Sequence, residues 1–336
     1  MADQIIVQRT RNVPWVGIGA KGEWDDYKEA LRAAGLDFNV YAQDVFWERP
    51  DGFTLDEIMA SPDPNAFAGY PSIMERVPVV ANVRGDTNQQ LGVVTPRYRI
   101  VQNRDAFKIM EQVVRSGGVI TNAGMTQQGL CFMVARMMTT SYNGEDYELN
   151  IMCTNSFNGA FPLALIITPV RIICQNMYKG LMASRENVVR FRHETNIGDR
   201  LDRAYDIVGY LNDFDHQLNA QLVQLAMAQM GKAEYDKLLG MVFPYPKPGG
   251  VREATSVAKV DALREMFTAD YFGAPDNDPW TDTVFGFVNA YYDYLSHAGN
   301  TKNMRGSWDD KRLSKLVSGD MVDKHVIKEA IKIAKA

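Results

Sequence analysis

Histidine and cysteine are scarce in this chain of 336 residues, at four and three respectively. His193, His216, His297 and His325 form no H-x-H or H-x-x-x-H pair. A histidine-rich metal site would have to be assembled from distant segments, so no metal is expected. Cys131, Cys153 and Cys174 form no C-x-x-C pair. That excludes a zinc knuckle and a disulfide framework, and it fits reduced thiols in a cytosol. Long apolar runs are missing too. The longest, Phe161–Thr168 continuing to Cys174, is interrupted by Pro162, Pro169 and Arg171. A membrane helix needs about 20 apolar residues, so this run reads as buried strand and no membrane is expected. Met1–Gln8 has no basic segment followed by an apolar one, and no secretory signal is expected. There is no Walker A sequence, no G-x-S-x-G, and no S-x-x-K with a usable partner. An ATP-driven motor and a serine hydrolase are therefore not expected, and no cofactor is implied.

What is present is an ordinary globular composition, 46% hydrophobic and 23% charged, which rules out a disordered chain. The length allows one large domain or two smaller ones. The net charge is −5, which argues against a uniformly basic nucleic-acid binder. Its distribution is uneven. Residues 97–192 carry a net +5, residues 205–300 a net −7 and residues 301–336 a net +4. A local basic face can still attract a polyanion.

Period and punctuation predict the elements. Tyr27, Ala30, Leu31 and Ala34 share one face of a helix over Asp25–Ala34, with Gly35 as its stop. Leu36–Val40 alternates like a half-buried strand. The Pro/Gly-rich stretch 48–75 reads as loop with a short helix at Leu55–Ala60. Val77–Val83 and Gln90–Thr95 flank the turn Arg84–Asn88 as a hairpin. Asn103 is placed to cap a helix over Arg104–Arg115, ended by Gly117-Gly118. Four strands follow, at Val119–Met125, Gly129–Met138, Tyr147–Asn155 and Leu163–Thr168. Helical spacing then dominates, at Leu201–Met230, Val257–Phe267, Trp280–His297 and the basic stretch Lys311–Ala336. Strands first and helices second make an α+β fold. The expected division is a β-rich core with a basic groove over 1–195 and a helical region over 196–336.

Gly17-Ile18-Gly19-Ala20-Lys21-Gly22 matches G-x-G-x-x-G, but Pro14 precedes it where a central strand is needed. It reads as a Gly-rich turn. Arg171 lies among Val170, Ile172 and Ile173, so its guanidinium must be paired or face an open groove. Lys179, Arg185, Arg190, Arg192 and His193 follow, with Phe191 interleaved. Cation–aromatic–cation alternation suits single-stranded nucleic acid, because cations hold phosphates and a ring stacks a base. Arg97-Tyr98-Arg99 repeats that logic. The bland reading is a solvated basic surface with Arg171 in a buried ion pair. A second candidate is a polar pocket of Arg171, Asn176, Asn289, Asp293 and His297. Asn289, Asp293 and His297 lie at i, i+4 and i+8 on one helix face, and an arginine in an apolar strand also holds a carboxylate or phosphate.

Several stretches together resemble the phage/plasmid-like protein family, a domain-of-unknown-function family carried on bacteriophages and plasmids. They are Pro14-Trp15, Gly17, Ala34–Asp37, Gly92–Val94, Tyr98, Val101–Asn103, Asp105–Phe107, Ala123-Gly124, Gly129 and, most specifically, Thr168–Asn176. Arg192-His193, Arg200-Leu201, Asn289-Ala290, Tyr294, His297 and Trp308 continue the match. Val16 and Ser296 replace the His and Asp usual in that family, which counts against an enzyme. Such genes travel with phage replication and recombination genes, and the outline is similar to single-strand annealing proteins of the Erf, Red beta and RecT kind. The resemblance implies an ATP-independent homo-oligomer, ring-forming in those proteins, that binds single-stranded DNA or RNA in the host cytoplasm. No catalytic residue is implied. Two alternatives stay open: a small-molecule binder or enzyme using the polar pocket, and a host-takeover protein that binds a bacterial protein.

Overall fold

The structure, a computed structural model, describes residues 13–48, 60, 62, 74–142, 144–171, 176–177, 188–191, 211–246, 248, 253–297, 307–318 and 324–336. It is an α+β fold with antiparallel sheets in the N-terminal half and helices in the C-terminal half.

The large sheet has seven strands, in the order β1 (Ala20–Trp24), β5 (Val119–Met125), β6 (Leu130–Tyr142), β7 (Glu145–Ser156), β8 (Leu163–Arg171) and β10 (Val188–Phe191), with β9 (Asn176–Met177) also on β8. β5 to β8 are the four expected strands. They form a meander, and both its faces are buried. Leu130, Cys131, Phe132, Met133, Val134 and Ala135 are consecutive and fully buried, the unbroken apolar run of a strand covered on two sides. Cys131, Met133, Ile151, Cys153, Leu163 and Leu165 join the main core on one face. Phe132, Val134, Met152, Ala164 and Ile166 join a second cluster on the other. Burial pushes the Cys131 thiol up to about 12 and raises that of Cys153 as well, so neither is a ready nucleophile.

Helices cover the first face. α1 (Tyr27–Ala33) is capped by the Asp26 carboxylate, which accepts from the Lys28 amide at 2.9 Å. It stops at Gly35, with φ +64°. The Leu36 amide donates to the Leu31 carbonyl and the Gly35 amide to that of Arg32, a Schellman motif. Leu36, Phe38 and Val40 are buried in alternation as expected, but strand pairing begins only at Val40. The expected helix over Arg104–Arg115 is broken into α2 (Asn103–Ala106), a 3-10 turn and α3 (Met110–Arg115). Asn103 does not cap it. Its amide donates to the Leu36 carbonyl at 3.0 Å and its oxygen accepts from Asn155 at 3.0 Å.

α4 (Leu211–Met227), α5 (Lys232–Val242), α6 (Glu253–Phe267) and α7 (Val284–His297) follow. Leu218, Leu222, Phe267 and Phe287 enter the same core as the sheet. The basic C-terminal stretch is two helices, α8 (Trp308–Ser318) and α9 (Lys324–Ile333). α8 covers the second sheet face with Leu313, Leu316 and Val317. Ser307 and Asp310 cap α8 reciprocally, and Asp310 also accepts from the Gln127 amide at 3.1 Å.

The G-x-G-x-x-G segment has no phosphate-binding geometry. It is a 3-10 turn running into edge strand β1. Gly19 has φ +71° and lies so close to β5 that a Cβ would meet the Ala123 carbonyl at 2.2 Å. These glycines serve close packing. The calls at Leu55–Ala60 and Leu201–Tyr210 fall outside the described residues, except Ala60.

A second sheet of three strands has the order β2 (Val40–Glu48), β3 (Met74–Arg84) and β4 (Gln90–Val94). β3 and β4 are the expected hairpin. β2 lies at the edge.

Candidate nucleic-acid interface

The small sheet differs from the large one in what it leaves open. Tyr41 is 56% exposed, Phe46 49%, Trp47 47% and Val93 46%. Side chains alternate along a strand, so Tyr41, Gln43, Val45 and Trp47 share one face of β2. Gln43 pairs with Ala81 and Ala81 with Val93, which adds Val93 to that face. The opposite face rests on the body of the protein through Ala42, Asn82 and Gly92. Asn82 is fully buried and donates to the Phe157 carbonyl at 2.6 Å. Gly92 lies against Asn158. The face bearing Tyr41, Val93 and Trp47 is therefore the outward one.

Two cations of this sheet are neutralised within it. Arg76 pairs with Asp44 at 2.6 Å. Arg84 pairs with Asp86 at 2.6 Å and lies over the Phe38 ring. Arg97 and Arg99 come just after β4 and are exposed. Arg97 has no ion-pair or hydrogen-bond partner among the described residues. Three residues of chain separate it from Val94, so it lies within about 11 Å of the end of β4. Tyr98, between the two arginines, is half-buried and donates to the Ser156 carbonyl at 2.6 Å. Burial raises its hydroxyl pKa. This anchor fixes the Arg97–Arg99 turn against the end of β7.

The other candidate residues are divided. Lys179, Arg185, Arg192 and His193 lie outside the described residues. Position 171 pairs with Tyr147, and position 190 with Ala164. Tyr147 belongs to the main core and Ala164 to the second cluster, so the register puts positions 171 and 190 on opposite faces of the large sheet. Position 191 pairs with Leu163, back on the main-core side. Arg171 instead meets the alternative set. It pairs with Asn176 across β8 and β9, and β9 packs on α7, the helix of Asn289, Asp293 and His297. Asn289 itself is 1% exposed and donates to Asn277 at 2.9 Å. Asn277 donates in turn to the Phe272 and Gly286 carbonyls, so this pair ties α7 to the turn before it. Among the described residues no cluster of His, Cys, Asp and Glu could hold a metal ion, and no helix is long and apolar enough to cross a membrane.

Tyr41, Phe46, Trp47 and Val93 were not singled out by sequence reasoning. The available signal was β2 itself, where Val45-Phe46-Trp47 breaks strict alternation with three consecutive apolar residues. Several residues behind the family resemblance prove to be braces. Tyr98 holds Ser156, Asn103 holds Leu36 and Asn155, and the Gln102 side chain both donates to and accepts from the Val40 backbone at 2.9 Å.

A family described as a domain of unknown function (DUF932) matches residues 90–317, two-thirds of the chain. The chain belongs to this family. No curated protein and no solved structure matches it. The matched span begins at β4 and ends in α8, so it takes in nearly all of the large sheet and the helices over it, but not β2 and β3.

Proposed function

We propose that the chain binds single-stranded DNA on the outward face of the small sheet, without ATP, and promotes strand annealing in phage or plasmid recombination or replication. The observation that carries this reading is the half-exposed Tyr41 and Trp47 on one sheet face, with the exposed Arg97 and Arg99 just beyond its edge. Aromatic rings accept any base by stacking, and nearby cations hold the backbone. Arg97 and Arg99 supply phosphate contacts, and the basic run of Lys179, Arg185, Arg190 and Arg192 extends the track. Annealing is downhill and needs alignment only, so no catalytic residue is assigned.

Anisotropy of a labelled oligothymidylate in rising salt tests the reading. With about four phosphates engaged, log affinity should fall against log salt with a slope near −3. An RNA oligonucleotide run in parallel compares the two polymers. Absence of salt-sensitive binding to either would remove the reading.

One observation favours a second reading, an anionic small molecule held near Arg171. Strand pairing and packing gather Arg171, Asn176 and α7 in one place. Arg171→Gln separates the two. It should leave oligonucleotide affinity unchanged if the platform carries binding, and abolish calorimetric binding of a small carboxylate or phosphate if the pocket does.

A further inference from the structure

β2 is open on both faces and along one edge. No strand pairs with its outer edge among the described residues. Tyr41, Ala42, Gln43, Asp44, Phe46 and Trp47 are all exposed. A base-stacking platform accounts for Tyr41 and Trp47. It leaves Phe46, which points from the opposite face, without a role. Open sheet edges are ordinarily guarded by lysine, proline, an inward charge or a covering loop. β2 has no lysine and no proline, and Asp44 is neutralised by Arg76. The other edge strand, β4, is closed. Gly92 lies so near residues 157–158 that a Cβ there would be 2.5 Å from Asn158 Cα and 3.1 Å from the Phe157 carbonyl.

We propose that β2 pairs antiparallel with β2 of a second copy of this chain, joining two small sheets into one six-stranded sheet across a twofold axis. The contrast between the two edges selects this occupant. Twofold pairing needs one open edge per chain, and β2 supplies it. A head-to-tail ring through this sheet would need β2 of one copy on β4 of the next, and the 157–158 loop stands at β4. Antiparallel pairing gives the nine-residue edge backbone partners and covers the flank of Phe46. It also sets the two outward faces side by side, so that two sets of Tyr41, Val93 and Trp47 form one wider platform. The three half-exposed aromatics of β2 offer about 300 Å² of ring surface per chain. Interfaces of standard size bury about 800 Å² per partner. The dimer is accordingly weak and concentration-dependent.

Sedimentation velocity of the full chain, without nucleic acid and from low micromolar to several hundred micromolar protein, tests the pairing separately from DNA binding. The expected result is a dimer whose fraction rises with concentration. Phe46→Lys should weaken self-association by roughly tenfold or more, since it places a guard residue on the edge. Phe46→Leu should retain it, and Gln43→Lys should repeat the loss in a second position. Melting temperatures of these variants should match the parent, because the site is exposed. A chain that stays monomeric throughout, a particle larger than a dimer, or a dimer that survives both lysine variants would overturn the proposal.

Discussion

The two sheets are made of similar residues and used in opposite ways. In β6, Leu130–Ala135 is an apolar run buried on both faces. In β2, Val45-Phe46-Trp47 is an apolar run too, yet Phe46 and Trp47 stand half in solvent. The large sheet is sandwiched between α1, α4 and α7 on one side and the N-terminal turn and α8 on the other. The small sheet rests on the body only through Asn82, Gly92 and their neighbours. Burial on two faces makes a scaffold, and an apolar face left open invites a ligand or a partner.

Four expected outcomes would break or sharpen that contrast. The largest concerns stability. Phe132→Ala removes a fully buried ring from the second cluster and should cost about 3–5 kcal/mol. Phe46→Ala should cost less than about 1 kcal/mol, as exposed sites usually do. Chemical denaturation of both variants measures the gap, and equal losses would dissolve the distinction.

Next comes binding. Tyr41→Ala with Trp47→Ala should weaken oligothymidylate affinity by roughly 10- to 100-fold, given about 1–3 kcal/mol for each stacked base. The melting temperature should barely move.

A smaller effect is expected at the seam between β1 and β5. Gly19→Ala forces a side chain into left-handed backbone, at about 1–2 kcal/mol, before any clash with the Ala123 carbonyl. Thermal melting should show the loss while DNA binding at saturating protein is kept.

The smallest is electrostatic. The Arg104 guanidinium donates to both Asp37 carboxylate oxygens, at 2.5 and 3.0 Å, and holds the Asp37 carboxyl below its usual range. The folded value is below the unfolded one. The stabilisation is therefore present above about pH 4 and fades as pH falls through the folded value. Arg104 is exposed, which keeps the pair under about 1 kcal/mol. Asp37→Asn should be slightly less stable than the parent at neutral pH, and urea titrations should show that gap closing in acid.

The large sheet was legible in the sequence because local signals agreed. Near-continuous apolar strands, the turn Arg84–Asn88 and the stops at Gly35 and Gly117 all matched the fold. Where a long-range bond competed, the reading slipped. Asn103 looks like a helix cap, but Asn155 and the Leu36 carbonyl claim its side chain. Alternation at Leu36–Val40 was real in burial and not in strand pairing. β1 looked like a glycine turn because its glycines serve packing against β5, and α5 was not foreseen. The candidate site was the least legible part. Exposure of Tyr41 and Trp47 is decided by what does not cover them, and no local pattern encodes that. The cation–aromatic pattern at 190–192 drew attention for its alternation, yet alternation is also what separates positions 171 and 190 across the sheet.

Photo-crosslinking of a halogenated single-stranded oligonucleotide to the full chain, followed by mapping of the modified peptides, tests the central claim most directly. The account predicts adducts at Tyr41 or Trp47, with protection when unlabelled strand competes. Adducts found only between residues 171 and 193, or none at a saturating oligonucleotide concentration, would contradict it.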